Sequence, residues 1–232
     1  MPTEPSAGTN SGTGDRRARR RQETIEEILA IAEAVMIEEG VNGLSLSEVA
    51  RRLGVRPPSI YKYLPSLMAL YDALFERGQQ AHLEAMRSAM VDAEPGLDAL
   101  SKGLEASGRW ALSNRALAQL LFWRPVPSFR PSDEAMAPSV EMVTLQRRAL
   151  AAAVRKGELG PAADSDEALY LTSTLIAGVL TQAFANEPDL PWGEGRFTPL
   201  FPRLLQLLTA IYPTSAPRRR GGAEITTAPG RR

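Results

Sequence analysis

Apolar residues recur along this chain at the spacing of one helix face after another, and no stretch alternates with the period of a half-buried strand. Between residues 22 and 39, Ile25, Ile28, Leu29, Ala32, Val35 and Met36 fall at i, i+3, i+4, i+7, i+10 and i+11. Glu26, Glu27, Glu33, Glu38 and Glu39 lie mostly outside that stripe, which predicts an amphipathic helix stopped by Gly40. A short second helix opens at Ser45 and Glu48 in the S-x-x-E arrangement, where serine oxygen and glutamate carboxylate can satisfy each other's backbone donors. Leu46, Val49, Ala50 and Leu53 form its apolar face, with Arg51 and Arg52 on the other side. Gly54 ends it, since glycine takes the left-handed conformation at little steric cost. Pro57 then suits the first position of a third helix, where no backbone donor is needed. Helix, glycine turn and polar short helix make a helix-turn-helix, a unit whose second helix lies in the DNA major groove.

Ser66 is placed to cap a long fourth helix through Leu67, Leu70, Tyr71, Leu74 and Phe75. Helical spacing continues near 78–92, 97–113, 115–122, 134–156, 166–186 and 199–212, the first of these either separate or a continuation of the fourth helix through Gly78. Pro202 would kink the last helix unless it begins at Phe201. Residues 124–131 are proline-rich and predict a loop. The fold class is therefore all-α: a three-helix helix-turn-helix head followed by a larger antiparallel helical domain. The expected division is a disordered basic arm at 1–18, the head at 19–65, the helical domain at 66–213 and a disordered tail at 214–232.

With 232 residues the chain can bury a core in both a small head and one larger domain. Its charges cancel, 27 of each sign, but unevenly, because Arg16, Arg17, Arg19, Arg20 and Arg21 cluster before the first apolar stripe. Such a cluster reads either as an arm drawn to phosphate and the minor groove or as a solvated start. Cysteine is absent, which excludes a disulfide framework, a thiolate zinc site and a thiol switch, and fits a cytoplasmic protein. No signal-peptide pattern is visible, because the arginines lead into a Glu-rich amphipathic helix. Residues 168–186 lack charge, but Thr172, Ser173, Thr174, Thr181, Gln182 and Asn186 make them too polar for hydrocarbon, so no membrane partner is expected. His82 is the single histidine, no glycine-rich phosphate loop follows a strand, and Asp164 with Asp166 reads as charge at a helix start. No enzyme activity, metal or cofactor is expected.

The ordered set IAEAVMIEEG (31–40), LSLSEVARRLGV (44–55) and SIYKYLPS (59–66) resembles the TetR family of transcriptional regulators over about residues 20–75. That resemblance implies a repressor that binds a near-palindromic double-stranded DNA operator as a homodimer and is released by an apolar or aromatic small-molecule effector. For base edges the candidates are Arg56, Pro57, Ser59 and Lys62, with Tyr61 on a base or a phosphate. Ser45 and Tyr63 match positions where the family contacts phosphate, Tyr63 having packing as its other reading, and Arg20 and Arg21 join them from the arm. Three departures stand out: Leu64 replaces the usual phenylalanine, Arg56 the usual serine cap, and Leu67 the usual phosphate-binding lysine.

For the effector the resemblance implies a cavity among the central helices. Its candidate walls are Met86, Met90, Trp110, Leu121, Phe122, Trp123, Phe129, Met136, Met142 and Gln146, with Arg109 and Asn114 as further polar groups and 124–131 as mouth or lid. The alternative for each is plain core. The stripe Leu169, Thr172, Ile176, Val179, Leu180 and Ala183, with Ala177 and Gly178 small enough for close approach, together with Phe197, Leu200, Phe201, Leu204, Leu205, Leu208 and Ile211, would by the same resemblance form a four-helix dimer interface; otherwise it is monomeric core. A rival reading of the whole chain is a helical small-molecule-binding or scaffold protein without sequence-specific DNA recognition, suggested by Leu67 and the pair Pro57 and Pro58.

Overall fold

Helices are the only regular structure among the described residues, 11–214, of the computed structural model. They are α1 (Ser11–Glu39), α2 (Leu46–Leu53), α3 (Pro57–Ile60), α4 (Leu67–Met90), α5 (Leu97–Ser113), α6 (Arg115–Phe122), α7 (Asp133–Arg155), α8 (Asp166–Asn186) and α9 (Phe201–Ile211). Helix α1 begins well before residue 22, so residues 11–18 are its first turns and not a disordered arm. Neither glycine nor proline interrupts the chain from Asp15 to Glu39, and periodicity of apolar residues cannot register a polar stretch such as 15–24. Residues 1–10 and 215–232, which hold the rest of the expected arm and nearly all of the expected tail, lie outside the described residues.

Helices α1 to α3 close around Ile28, Ala32, Val35, Val49, Ala50 and Ile60, all fully buried. The Ser45 hydroxyl accepts from the Glu48 amide at 3.2 Å, but the reciprocal half of the capping box is not made. Glu48 instead accepts from the guanidinium groups of Arg51 and Arg52, and these hydrogen bonds hold its carboxyl down to about 2. Arg52 also reaches Glu38 at 2.8 Å, which ties α2 to α1. Gly54 ends α2 with φ 74°.

Helix α4 is the spine of the molecule, about 36 Å long at 1.5 Å per residue. It runs unbroken through Gly78, where a Cβ would stand 2.9 Å from Leu121 of α6, so the missing side chain is what lets α6 approach. Helices α5, α6 and α7 pack on α4, and α8 lies across α5, α7 and α9. At its head end the buried Tyr71 hydroxyl donates to the Val41 carbonyl at 2.7 Å. Tyr71→Phe leaves that carbonyl without its partner and is expected to cost roughly 1–2 kcal/mol in urea unfolding with an unchanged m-value.

The loop 124–131 is anchored to α4. Phe129 is 1% exposed, with its ring 5.8 Å from that of Tyr71 and 5.9 Å from that of Phe75. Ser132 donates to both Asp72 carboxylate oxygens, through its amide at 2.8 Å and its hydroxyl at 2.7 Å. Helix α9 starts at Phe201 with Pro202 in its first turn, so no kink arises.

Candidate functional site

Two places collect the residues that carry chemistry. The first is the outer face of the helix-turn-helix. Helix α3 has four residues and continues as a turn in which the Tyr63 and Leu64 amides donate to the Ile60 carbonyl. Ile60 is fully buried and fixes the segment, so Arg56, Pro57, Tyr61 and Lys62 face outward and Ser59 is half-buried. Neither Arg56 nor Lys62 makes an ion pair among the described residues. Arg21 donates to the Lys62 carbonyl at 2.8 Å and lies over the Tyr63 ring at 5.4 Å, so it holds the end of this segment in place. Arg17, Arg20, Arg21, Thr24, Lys62 and Tyr63 line one shallow cleft, which joins the basic end of α1 to the end of α3. The Ser45 oxygen accepts from Glu48, which leaves its O–H to donate outward. Glu48 is neutralised by its two arginines, so the face is cationic. Leu67 is half-buried against the core.

The second place is a partly open cavity of about 400 Å³ lined by residues of α4, α5, α6, α7 and α8. Of the predicted wall residues it takes in Met86, Leu121, Phe122, Trp123, Met142 and Gln146. The others lie elsewhere. Met90 fills the space over Gly103 of α5, Trp110 stands behind His82, and Phe129 belongs to the Tyr71 and Phe75 cluster. Met136 accepts from Arg124, Arg109 pairs with Glu105, and Asn114 donates to the Trp110 carbonyl.

Sequence reasoning missed Gln79, His82 and Ser107, all of which line the cavity. The one trace in the sequence is spacing, since Gln79, His82 and Met86 fall at i, i+3 and i+7, on one face of α4. His82 is 5% exposed, stacks on Trp110 at 4.7 Å and shares a 2.6 Å hydrogen bond between its Nε2 and the Ser107 hydroxyl. Burial holds its pKa down to about 4 from the ordinary 6.5, so the ring is neutral at neutral pH. The unfolded chain therefore takes up this proton first. The stability His82 contributes is complete above pH 6.5 and is lost as pH falls towards 4. Wild type should lose about 2 kcal/mol more than His82→Phe between pH 7.5 and pH 5 in urea melts. Equal losses would place the imidazole in water.

Residues 28–74, which span most of the head and the start of α4, match the family described as bacterial regulatory proteins, tetR family. Over this head, the chain matches the TetR family. The HTH-type transcriptional regulator Rv1816 of Mycobacterium tuberculosis is 28% identical over 156 residues, 63% of each protein, so this chain spans just under two thirds of that curated relative. Among solved structures, a protein with unknown function from Rhodococcus sp. RHA1 superposes with a TM-score of 0.68 at 23% identity, covering 81% of this chain and 94% of that one. The transcriptional regulator FadR from Bacillus subtilis, in complex with stearoyl-CoA, superposes with a TM-score of 0.61 at 18% identity, covering 79% and 96%. The likeness of fold thus extends through the helical body.

One prediction for this chain needs correction. Leu169, Thr172, Ile176, Val179, Ala183, Phe201 and Leu208 are buried within the single chain and Leu204 is half-buried, so the predicted dimer face is largely subunit core. An apolar stripe shows that a face is covered without showing by what, and here the inward side of α8 meets α5 and α7. Among the residues that α8, α9 and the turn before α9 leave outside are Tyr170, Ala177, Gly178, Thr181, Leu200, Leu207 and Ile211. A Cβ on Gly178 would meet nothing within 4 Å. Although α8 is long and apolar enough to cross a membrane, its buried side packs against the other helices. Among the described residues no group of three or more His, Asp or Glu is placed to hold a metal ion.

Proposed function

We propose that this protein is a cytoplasmic, sequence-specific transcriptional regulator that binds a near-palindromic operator as a homodimer and releases it when a small apolar molecule fills the α4–α8 cavity. The observation that carries this reading is the double duty of α4. At one end Tyr71 is hydrogen-bonded to Val41 of the head, and further along the same helix Gln79, His82 and Met86 line the cavity. A ligand that favours one placement of α4 changes the placement of the head, and by linkage DNA alters the affinity for ligand by the same factor. Helix α6 offers a second route, because Leu121 and Phe122 line the cavity while α6 packs on α1.

The outward surface of α8 and α9 supplies the contact with a second copy, the small Ala177 and Gly178 allowing close approach and Leu207 and Ile211 adding apolar area. A twofold axis through that surface directs two copies of α3 at major grooves about one helical turn apart, so the operator has matching halves. Arg56 and Lys62 read it, while Ser45, Tyr63 and the arginines of α1 hold phosphate. Occupying a promoter in this way represses it. The complex of FadR with stearoyl-CoA supports a small-molecule site in this fold. The test is a compound screen for release of the protein from its upstream DNA. A releasing compound should change Trp123 emission, and the change should vanish in Trp123→Phe. Release with no response at Trp123 would move the effector out of this cavity.

A further inference from the structure

We infer that the cavity selects an uncharged, largely apolar molecule carrying a hydroxyl group, which Gln79, His82 and Gln146 hold. This rests on the reading of the cavity as the effector site. None of the described residues lining it is Asp, Glu, Lys or Arg. A carboxylate, ammonium or phosphate inside would therefore lose its hydration with no counter-charge to replace it.

The cavity is not polar-free. Gln79 Oε1, His82 Nδ1 and Gln146 Oε1 are buried atoms that find no hydrogen-bond partner. Gln79 is 6% exposed and His82 5%, so both are more than nine-tenths buried. Unmade hydrogen bonds at such atoms are costly, so a ligand that makes them is selected over one that does not. The two glutamine oxygens accept and call for a donor. The imidazole is neutral, and its Nε2 is engaged by the Ser107 hydroxyl. If Nε2–H donates to Ser107, Nδ1 is a bare acceptor; if Ser107 donates to Nε2, Nδ1–H is a donor. A hydroxyl oxygen accepts from Nδ1–H and gives its one hydrogen to a glutamine oxygen, or gives that hydrogen to a bare Nδ1, whereas an ether or ketone can only accept.

Placement on the helices fits a single anchoring point. Gln79 and His82 are three residues apart on one face of α4, and Gln146 comes from α7 four residues after Met142, which lines the same wall. The hydroxyl would sit between α4 and α7, with the apolar body against Leu121, Ile176 and Leu180.

Isothermal titration calorimetry on the full chain at pH 7.5 tests this with two matched sets, 1-nonanol and 4-tert-butylcyclohexanol, each beside its methyl ether, its carboxylate and its ammonium counterpart. Both alcohols should bind at least about tenfold tighter than their three counterparts, the equivalent of one buried hydrogen bond. The hydroxyl has one hydrogen to give, so that advantage should shrink to within about threefold in the double variant Gln79→Leu/Gln146→Leu and in whichever single variant removes its acceptor. Circular dichroism checks folding, and the alcohol-over-ether ratio in the unsubstituted chain decides the matter should a variant fail to fold. Ethers equal to alcohols, or carboxylates or ammonium compounds binding tightest, would overturn the hydroxyl assignment and leave the cavity a ligand site. No binding heat from any of the eight compounds would overturn the effector-site reading and the hydroxyl with it.

Discussion

Phe129→Ala is expected to lower the stability of the protein by about 3–5 kcal/mol, the range for removing a buried aromatic side chain. The ring is 1% exposed and wedged between Tyr71 and Phe75 of α4, so its removal opens a cavity beside the helix that joins head to body. The loss should not stay local. Tyr71 is the residue whose hydroxyl reaches Val41, and Arg124, at φ 44°, lies over the other side of the cluster with its guanidinium 5.7 Å from the Phe75 ring. Urea unfolding should show a lower midpoint with an unchanged m-value. A loss below about 1 kcal/mol, the size of an ordinary surface change, would mean that the loop 124–131 is not anchored, and would restore it as a candidate lid.

The second large effect concerns DNA. A base-reading side chain contributes about 1–3 kcal/mol per contact, and a twofold dimer makes each contact twice. Arg56→Ala is therefore expected to weaken operator binding by about 2–6 kcal/mol, which is roughly thirtyfold to twenty-thousandfold, and to relax sequence preference at one position in each half-site. Lys62→Ala separates the two readings of that residue. On a base edge it should behave as Arg56 does. On a phosphate it should weaken all duplexes alike and reduce the salt slope by about 0.9 per half-site. Both side chains are exposed, so neither substitution disturbs the core, and unchanged affinity in both variants would remove α3 from the interface.

How far the amino-acid order carried these expectations depended on what each signal can encode. The bounds of α5, α6 and α8 are legible because glycine, proline and small polar residues mark the ends of strong apolar stripes. The order of helix, glycine turn and short helix is equally legible, since capping at Ser45 and the left-handed turn at Gly54 are local events. Partner choice is not local. Nothing in the stripe along α8 tells whether α5 and α7 or a second copy covers it, and here the subunit's own core does. Phe129 and Phe122 look alike in sequence, yet one is locked against Tyr71 and the other lines the cavity. Glu48 could complete a capping box, but two adjacent arginines offer its carboxylate charged partners and win. His82 is the instructive omission: a lone histidine on a helix gives no motif, and its burial, its bond to Ser107 and its open Nδ1 emerge only when α5 is laid against α4.

Whether this head reads DNA sequence is best asked by fluorescence anisotropy of the full chain on the duplex upstream of its own gene against a scrambled duplex, at one near-physiological salt concentration. The regulator described above should prefer its own upstream sequence by about a thousandfold or more, with a steep salt dependence from the phosphate contacts. Equal, weak binding to both duplexes would contradict it, and would leave a helical small-molecule-binding protein whose head no longer recognises sequence.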